Sequence, residues 1–329
     1  MVWPFSSRER TSVSEDDLVD LRGKVVIVTG SNAGIGYSTV QFLARKGAKV
    51  YMAARNEEKG REAIKQLEAE DLWGGKVEWL KLDLSDIRQS KEAALEFLKK
   101  EKRLDILVNN AASVLGPYKE TSDGLLDIMV VNHISHFIFT TTLLPLMKQT
   151  AKEDPKADVR IINITSEAHQ MIPPVTTFAG EETLNKQYEE SFMGYLRTYG
   201  YSKLANILFT KELQRRLLSE GFTNIISISV HPGSVTTPGS QRFMSSVPYV
   251  SWLTKALSSW FSYSQRAGAY TSVFAAAAPE VKAEPEKYRA VYMIPVAKVA
   301  KPSKDAEDER LAKELWETTE GVVRRLGIL

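Results

Sequence analysis

In the run Tyr199-Gly200-Tyr201-Ser202-Lys203 a tyrosine and a lysine stand four positions apart. On a helix that spacing puts both side chains on one face, a turn from each other. A free tyrosine titrates near ~10, too high to give and take a proton readily around neutrality. An ammonium group beside it favours the tyrosinate and lowers that value, which makes Tyr199 a candidate general acid and base. Tyr201 competes for the role, but only Tyr199 has Lys203 at the i, i+4 spacing. Ser166, at the end of an apolar run, offers a hydroxyl that could stabilise charge developing on a substrate oxygen. Thr165 beside it could also offer a hydroxyl, on the opposite face if the run is a strand, and spacing alone does not choose between the two.

A second group precedes these. Thr29-Gly30-Ser31-Asn32-Ala33-Gly34-Ile35-Gly36 follows the apolar run Val25-Val26-Ile27-Val28 and opens a helical pattern to Lys46. Gly30 allows a tight turn, Gly34 lets the backbone approach a pyrophosphate, and Gly36 permits close helix packing. The helix N-terminal amides then face the anion, so Gly30, Ser31, Asn32, Gly34, Ile35 and Gly36 are candidate dinucleotide-binding residues. The next strand ends Ala53-Ala54-Arg55-Asn56, with no acid to hold a ribose 2′-hydroxyl. Arg55 suits a 2′-phosphate instead, which favours NADP(H); the bland alternative is an exposed loop arginine. Asp83, with Leu84 beside it, ends the third strand where it could hold an adenine amino group or merely cap a turn.

These residues need a frame, and the chain supplies one. Strand-like runs at Lys49 to Ala54, Val77 to Leu82, Leu104 to Val108, Val159 to Ile164 and Ile225 to Val230 alternate with helix-length segments, among them Gly124 to Met147 and Tyr199 to Leu218. That alternation implies right-handed crossovers and a doubly wound, mostly parallel, Rossmann-type α/β sheet with helices on both faces. With a last strand in Tyr288 to Ile294 the sheet has seven strands, and Asp305 to Arg325 forms a last helix. A polar arm, 1–20, precedes a single domain, 21–329. Two segments, 167–198 and 236–264, interrupt the alternation as substrate-side insertions and a lid.

Composition narrows the function classes. The chain has 329 residues, 43% apolar and 26% charged, a globular balance, and its net charge of +2 gives no reason to expect nucleic acid. It has no cysteine, which excludes disulfides, thiolate nucleophiles and cysteine metal sites. His133 and His136 sit i, i+3 without a third ligand at a recognised spacing, so no metal is expected. His169 and His231 are given no catalytic role. No secretory signal and no transmembrane segment is expected, and the expected location is cytoplasmic.

Several motifs in order resemble the classical short-chain dehydrogenase/reductase family, and more closely its retinol-dehydrogenase-like branch. They are Thr29 to Gly36, Asn109-Asn110-Ala111-Ala112, Asn132 in Val131-Asn132-His133, Ser166, Tyr199 to Lys203, and His231-Pro232-Gly233-Ser234-Val235-Thr236-Thr237, covering about 20–240. The resemblance implies a catalytic set of Asn132, Ser166, Tyr199 and Lys203, with Asn132 holding a water in a relay from Lys203 to solvent. It adds Asn110, Ala111, Pro232, Gly233, Val235 and Thr237 to the cofactor-binding residues, alongside Tyr199 and Lys203. The implied function is a carbonyl reductase or alcohol dehydrogenase acting by hydride transfer on an apolar small molecule.

Two departures from the family pattern bear on this. Ala112 replaces the usual glycine, adding a methyl where the cofactor passes, and 33 positions separate Ser166 from Tyr199, so 167–198 should project over the site mouth. Residues 243–263 read as a lid over an apolar cleft, a helix packed on the core, or a membrane-contact helix. A non-redox enzyme of the same fold and a cofactor-sensing binding protein are the competing functions. Peripheral membrane contact and homo-oligomerisation stay open.

Overall fold

The computed structural model describes residues 10–114, 116–117, 119–154, 157–233 and 264–329. Eight strands form one sheet in the order β3-β2-β1-β4-β5-β6-β7-β8. They are β1 (Val25–Thr29), β2 (Lys49–Ala54), β3 (Lys76–Lys81), β4 (Ile106–Asn109), β5 (Val159–Ile164), β6 (Ile225–Val230), β7 (Tyr292–Ile294) and β8 (Lys298–Ala300). Pairing is parallel from β3 through β7. Every residue of β1, β4, β5 and β6 is buried, as expected when helices cover both faces. The eighth strand corrects the expected seven: β8 runs antiparallel to β7, and its three partly exposed residues are too few to show a period-two pattern. Tyr288 belongs to a short helical turn, Pro285–Tyr288, and the last strand begins at Tyr292.

Successive β1 residues face opposite sides. Val25 and Ile27 enter one core, Val26 and Val28 the other. The first core is covered by α3 (Ile87–Lys100), α4 (Asp127–Glu153), α5 (Phe192–Ser219) and α7 (Glu309–Arg325). The second is covered by α1 (Gly34–Arg45), α2 (Glu57–Glu68) and α6 (Gln265–Ala277). Residues 10–20 join this second face. Val13 and Leu18 are buried there, and Glu15 meets Arg45 at 3.3 Å and Arg266 at 2.8 Å.

The chain steps outward from β1 to β2 to β3, then returns to place β4 on the other side of β1. At this reversal the crossovers after β1 and β4 diverge, opening a crevice at the C-terminal strand ends where such sheets bind ligands. The glycine turn leaves β1 there and Asn110 leaves β4.

Three helices differ from their sequence outline in ways that matter to the site. Helix α4 is apolar and long enough to cross a membrane, but 72% of its apolar window is buried within the protein, so it is a core helix. It widens into a π turn, Val130–Ile134, centred on Asn132. Helix α5 begins at Phe192 rather than Tyr199, because the Ser191 hydroxyl caps it by accepting from Gly194 N at 3.0 Å. The last helix starts at Glu309, where Asp308 accepts from the amides of Arg310 and Leu311; Asp305–Glu307 is a separate 3-10 turn.

The 167–198 segment is fastened to α7. Glu314 accepts from Thr177 Oγ1 at 2.8 Å and Phe178 N at 2.9 Å, Thr318 donates to Phe178 O at 2.7 Å, and Arg325 donates to Glu181 at 3.0 Å. Phe178 and Leu184 are fully buried in the first core.

Candidate active site

The glycine turn fits a dinucleotide phosphate. Gly30 and Gly34 have φ of +62° and +66°, a region that disfavours side chains. A Cβ on Gly30 would lie 2.7 Å from Ala111, and one on Gly36 would lie 2.8 Å from the Gly30 carbonyl oxygen. The residue before α1, Ala33, offers no side-chain acceptor to the first-turn amides, so they remain donors for an anion. Asn32 and Ile35 are partly exposed at this turn, whereas Ser31 is fully buried and donates its hydroxyl to Val28 O at 2.7 Å. Ser31 therefore shapes the turn with its side chain.

Thr29 ties this turn to β4. Its Oγ1 accepts from Asn110 N and Ala111 N, each at 2.9 Å, and meets His136 Nε2 at 2.9 Å. Asn110 Nδ2 donates to Thr29 O at 2.8 Å. Ala112 is exposed, so its added methyl meets no crowding from the protein.

Arg55 is exposed at the end of β2 and makes no ion pair or hydrogen bond among the described residues. The adjacent Glu57 pairs with Arg61, and Asn56 caps α2 by accepting from Lys59 N at 2.8 Å. Asp83 closes a turn through one oxygen, Oδ1, which accepts from Ser85 N at 2.9 Å and Ser85 Oγ at 2.7 Å. Leu84 is buried and its carbonyl accepts from Ser135 of α4.

The structure brings Ser166, Tyr199 and Lys203 together. Ser166 caps the 3-10 turn Glu167–Gln170, its Oγ accepting from Ala168 N at 3.2 Å, and lies beside the Tyr199 hydroxyl. Lys203 is buried, donates from Nζ to Ile164 O at 3.0 Å, and lies 5.5 Å from the Tyr199 ring centre. Thr165 is turned away, donating to Lys203 O at 2.7 Å, as strand alternation requires. Gly200 makes the approach possible: a Cβ there would lie 2.3 Å from Ala168 O, so any other residue would push α5 off the Ser166 turn. Its neighbour Tyr201 faces the other way and donates to Thr183 O at 2.9 Å.

Burial acts oppositely on the two ionisable groups. It pushes Tyr199 up to about 12, an effect the Ser166 hydroxyl only partly offsets, and pushes Lys203 down to about 7. The protein's own groups therefore do not lower the tyrosine; the expected lowering draws on Lys203 together with the positive charge of an oxidised nicotinamide. An amine that loses its charge readily is a weak source of field, and desolvation dominates.

Asn132 is held in the π turn by its side chain. Its side chain is fully engaged: Oδ1 accepts from Ser113 N at 2.7 Å, while Nδ2 donates to Ser113 O at 3.0 Å and Ser202 Oγ at 2.9 Å. What Asn132 has to offer a relay is its main-chain carbonyl in the π turn, which His136 Nδ1 approaches at 3.4 Å.

The histidines are structural, and no metal-binding group occurs among the described residues. His133 Nε2 meets Thr319 Oγ1 at 2.9 Å, and His169 joins Ser166 O at 2.7 Å to Ser303 N at 3.1 Å. Pro232 and Gly233 follow β6 at the crevice, Gly233 with φ of +86°. Val235, Thr237 and the stretch 243–263 lie outside the described residues. Sequence reading missed Thr29 as a hub, together with Ser113, Gly200 and Ser202. Thr29, a polar residue closing an apolar strand, carried the one available signal.

A phosphate-binding turn at the sheet reversal, beside partly buried Ser166 and Tyr199 backed by a buried Lys203, defines a nicotinamide-dependent oxidoreductase acting between alcohol and carbonyl. The short chain dehydrogenase model matches residues 24–178. The chain is 43% identical over 314 residues to a short-chain dehydrogenase/reductase of Armillaria gallica, covering 94% of this chain and 96% of that one. It is 36% identical to retinol dehydrogenase 11 of Homo sapiens, covering 92% and 86%. An uncharacterised protein of Mycobacterium paratuberculosis superposes with a TM-score of 0.70 at 27% identity, covering 95% and 98%. The protein belongs to the short-chain dehydrogenase/reductase family, in its retinol-dehydrogenase-like branch.

Proposed function

We propose that the protein is a cytosolic NADP(H)-dependent reductase of ketones or aldehydes, reversible as an alcohol dehydrogenase, acting on a mainly apolar small molecule. The observation that carries the redox reading is the Ser166 hydroxyl beside that of Tyr199, with Lys203 buried 5.5 Å from the tyrosine ring. When bound, the nicotinamide supplies the hydride or accepts it. The Ser166 hydroxyl donates to the substrate oxygen as negative charge gathers there. Tyr199, a neutral acid near pH 7 because burial holds its proton, delivers that proton to the oxygen in reduction. Lys203, pushed down to about 7, is poised to give up a proton behind it. The Ile164 carbonyl accepts from the Lys203 ammonium, and no carboxylate pairs with it among the described residues. Preference for NADP(H) rests on Arg55, an exposed guanidinium that no described acid neutralises, at the end of β2.

The test is turnover of NADPH and NADH with a panel of apolar aldehydes and ketones, followed by loss of reduced-nicotinamide absorbance. NADPH should be preferred, and Arg55→Asp should move the preference toward NADH. Tyr199→Phe should abolish turnover while cofactor affinity is kept. An unchanged ratio of kcat/KM in the arginine variant would reject the phosphate-reading role, and parent-like turnover in the tyrosine variant would reject the acid.

A further inference from the structure

A cavity of 200 Å³ opens between the loop after β4, the start of α4 and the first turns of α5. Tyr195 and Thr198 form one wall, Ser113 and Asp127 another, and Tyr188 from the 167–198 segment a third. Tyr195 lies one helical turn before Tyr199, which places this wall about 6 Å along α5 from the acid. Ser113 is the residue whose backbone Asn132 grips on both sides. The cavity thus adjoins the reaction centre along α5.

Its lining is apolar at Val114, Leu126 and Ile128 and includes the polar residues Tyr188 and Asp127. The Tyr188 hydroxyl is buried without a hydrogen-bond partner. The ring is held in place edge-on to Tyr201 at 6.5 Å, with the Lys186 ammonium 5.5 Å from its centre. Asp127 is partly buried; its carboxyl interacts with the Ile128 amide and makes no ion pair among the described residues. Lys119 acts on it only through charge at longer range, and burial holds the carboxyl above the usual carboxylate range. The Tyr188 ring lines the cavity, and a buried hydroxyl without a partner is costly, so a ligand hydroxyl that reached it would relieve that cost.

We propose that this cavity receives a hydroxyl group of the substrate, about one helical turn from the reacting carbonyl, with Tyr188 donating to its oxygen and Asp127 accepting its proton. A hydroxyl is both donor and acceptor, which matches that pair. The substrate class is a hydroxylated ketone or aldehyde on a hydrocarbon skeleton. The inference rests on the carbonyl reductase reading for the position of the carbonyl.

The test uses 4-(hydroxymethyl)cyclohexanone and 4-ethylcyclohexanone, which differ by a hydroxyl in place of a methyl. Binding of each to the protein saturated with oxidised cofactor is measured by calorimetry, and turnover with reduced cofactor is followed in parallel. The hydroxyl compound should bind at least about tenfold more tightly, since a site built to pair a hydroxyl discriminates strongly against its absence. Tyr188→Phe and Asp127→Asn should each erase most of that ratio. Equal binding of the two compounds, binding of neither, or a ratio that survives both substitutions overturns the proposal. A binding preference without hydride transfer would support the subsite while rejecting the reductase reading. Turnover of both ketones without preference would do the reverse.

Discussion

The Thr29 hydroxyl meets three partners, and its own proton has one place to go. Asn110 N and Ala111 N both donate to it, so Thr29 must donate to His136 Nε2. That fixes the His136 tautomer: its proton sits on Nδ1, facing the Asn132 carbonyl. The glycine turn and the π turn are thereby joined through one neutral imidazole. Thr29→Val should leave two amides and a ring nitrogen unpaired and cost about 1–3 kcal/mol of stability. Thr29→Ser keeps the hydroxyl and should cost less than about 1 kcal/mol by the same reasoning. Denaturant titration distinguishes them, and equal losses would mean that the methyl, not the hydroxyl, holds the turn. This pairing was illegible in sequence because the two residues stand 107 apart. Tyr199 and Lys203 were legible because a helix makes four positions a contact.

At the scale of elements, α4 shows both how far pattern carries and where it stops. Its apolar length announced a helix, but the π turn follows from one extra residue per turn, which a periodicity of 3.6 does not resolve. The α5 start was missed because a helix buried on most sides has little amphipathic contrast, leaving the Ser191 cap as the sole cue. The strands were plain because unbroken apolar runs can only be buried from both faces. Buried on α4, His133 and His136 are each pushed down to about 3 by desolvation, with Lys203 adding to the effect on His136 and His136 to that on His133. In the unfolded chain both titrate near ~6.5. Between those values the unfolded state holds more protons, so stability is complete above about 6.5 and is lost as pH falls toward 3. The thermal midpoint should therefore drop on acidification through that window, and His133→Phe, surrounded by Phe137 and Phe209, should show a shallower drop. Parallel slopes for parent and variant, measured by scanning calorimetry across pH, would assign the acid sensitivity to carboxylates instead.

Across the whole molecule, the sheet reversal gathers the reacting groups while α7 closes the structure from far along the chain. Trp316 stacks on Phe209 of α5 at 5.7 Å, packs edge-on to Phe137 of α4 at 4.8 Å, and is covered by the Arg216 guanidinium at 4.4 Å. One indole thus joins three helices on a face of the sheet. Trp316→Ala should cost about 3–5 kcal/mol, read as a lowered denaturation midpoint; a loss under about 1 kcal/mol would show that the helices hold together without it.

The same helix grips the 167–198 segment through Glu314, Thr318 and Arg325. Two relatives recombined at a crossover between positions 190 and 305 would draw the cavity wall bearing Tyr188 from one parent and the helix that fastens it from the other. Chimeras of this family should therefore exchange those two stretches as a single block, although more than a hundred residues of sheet and helix lie between them.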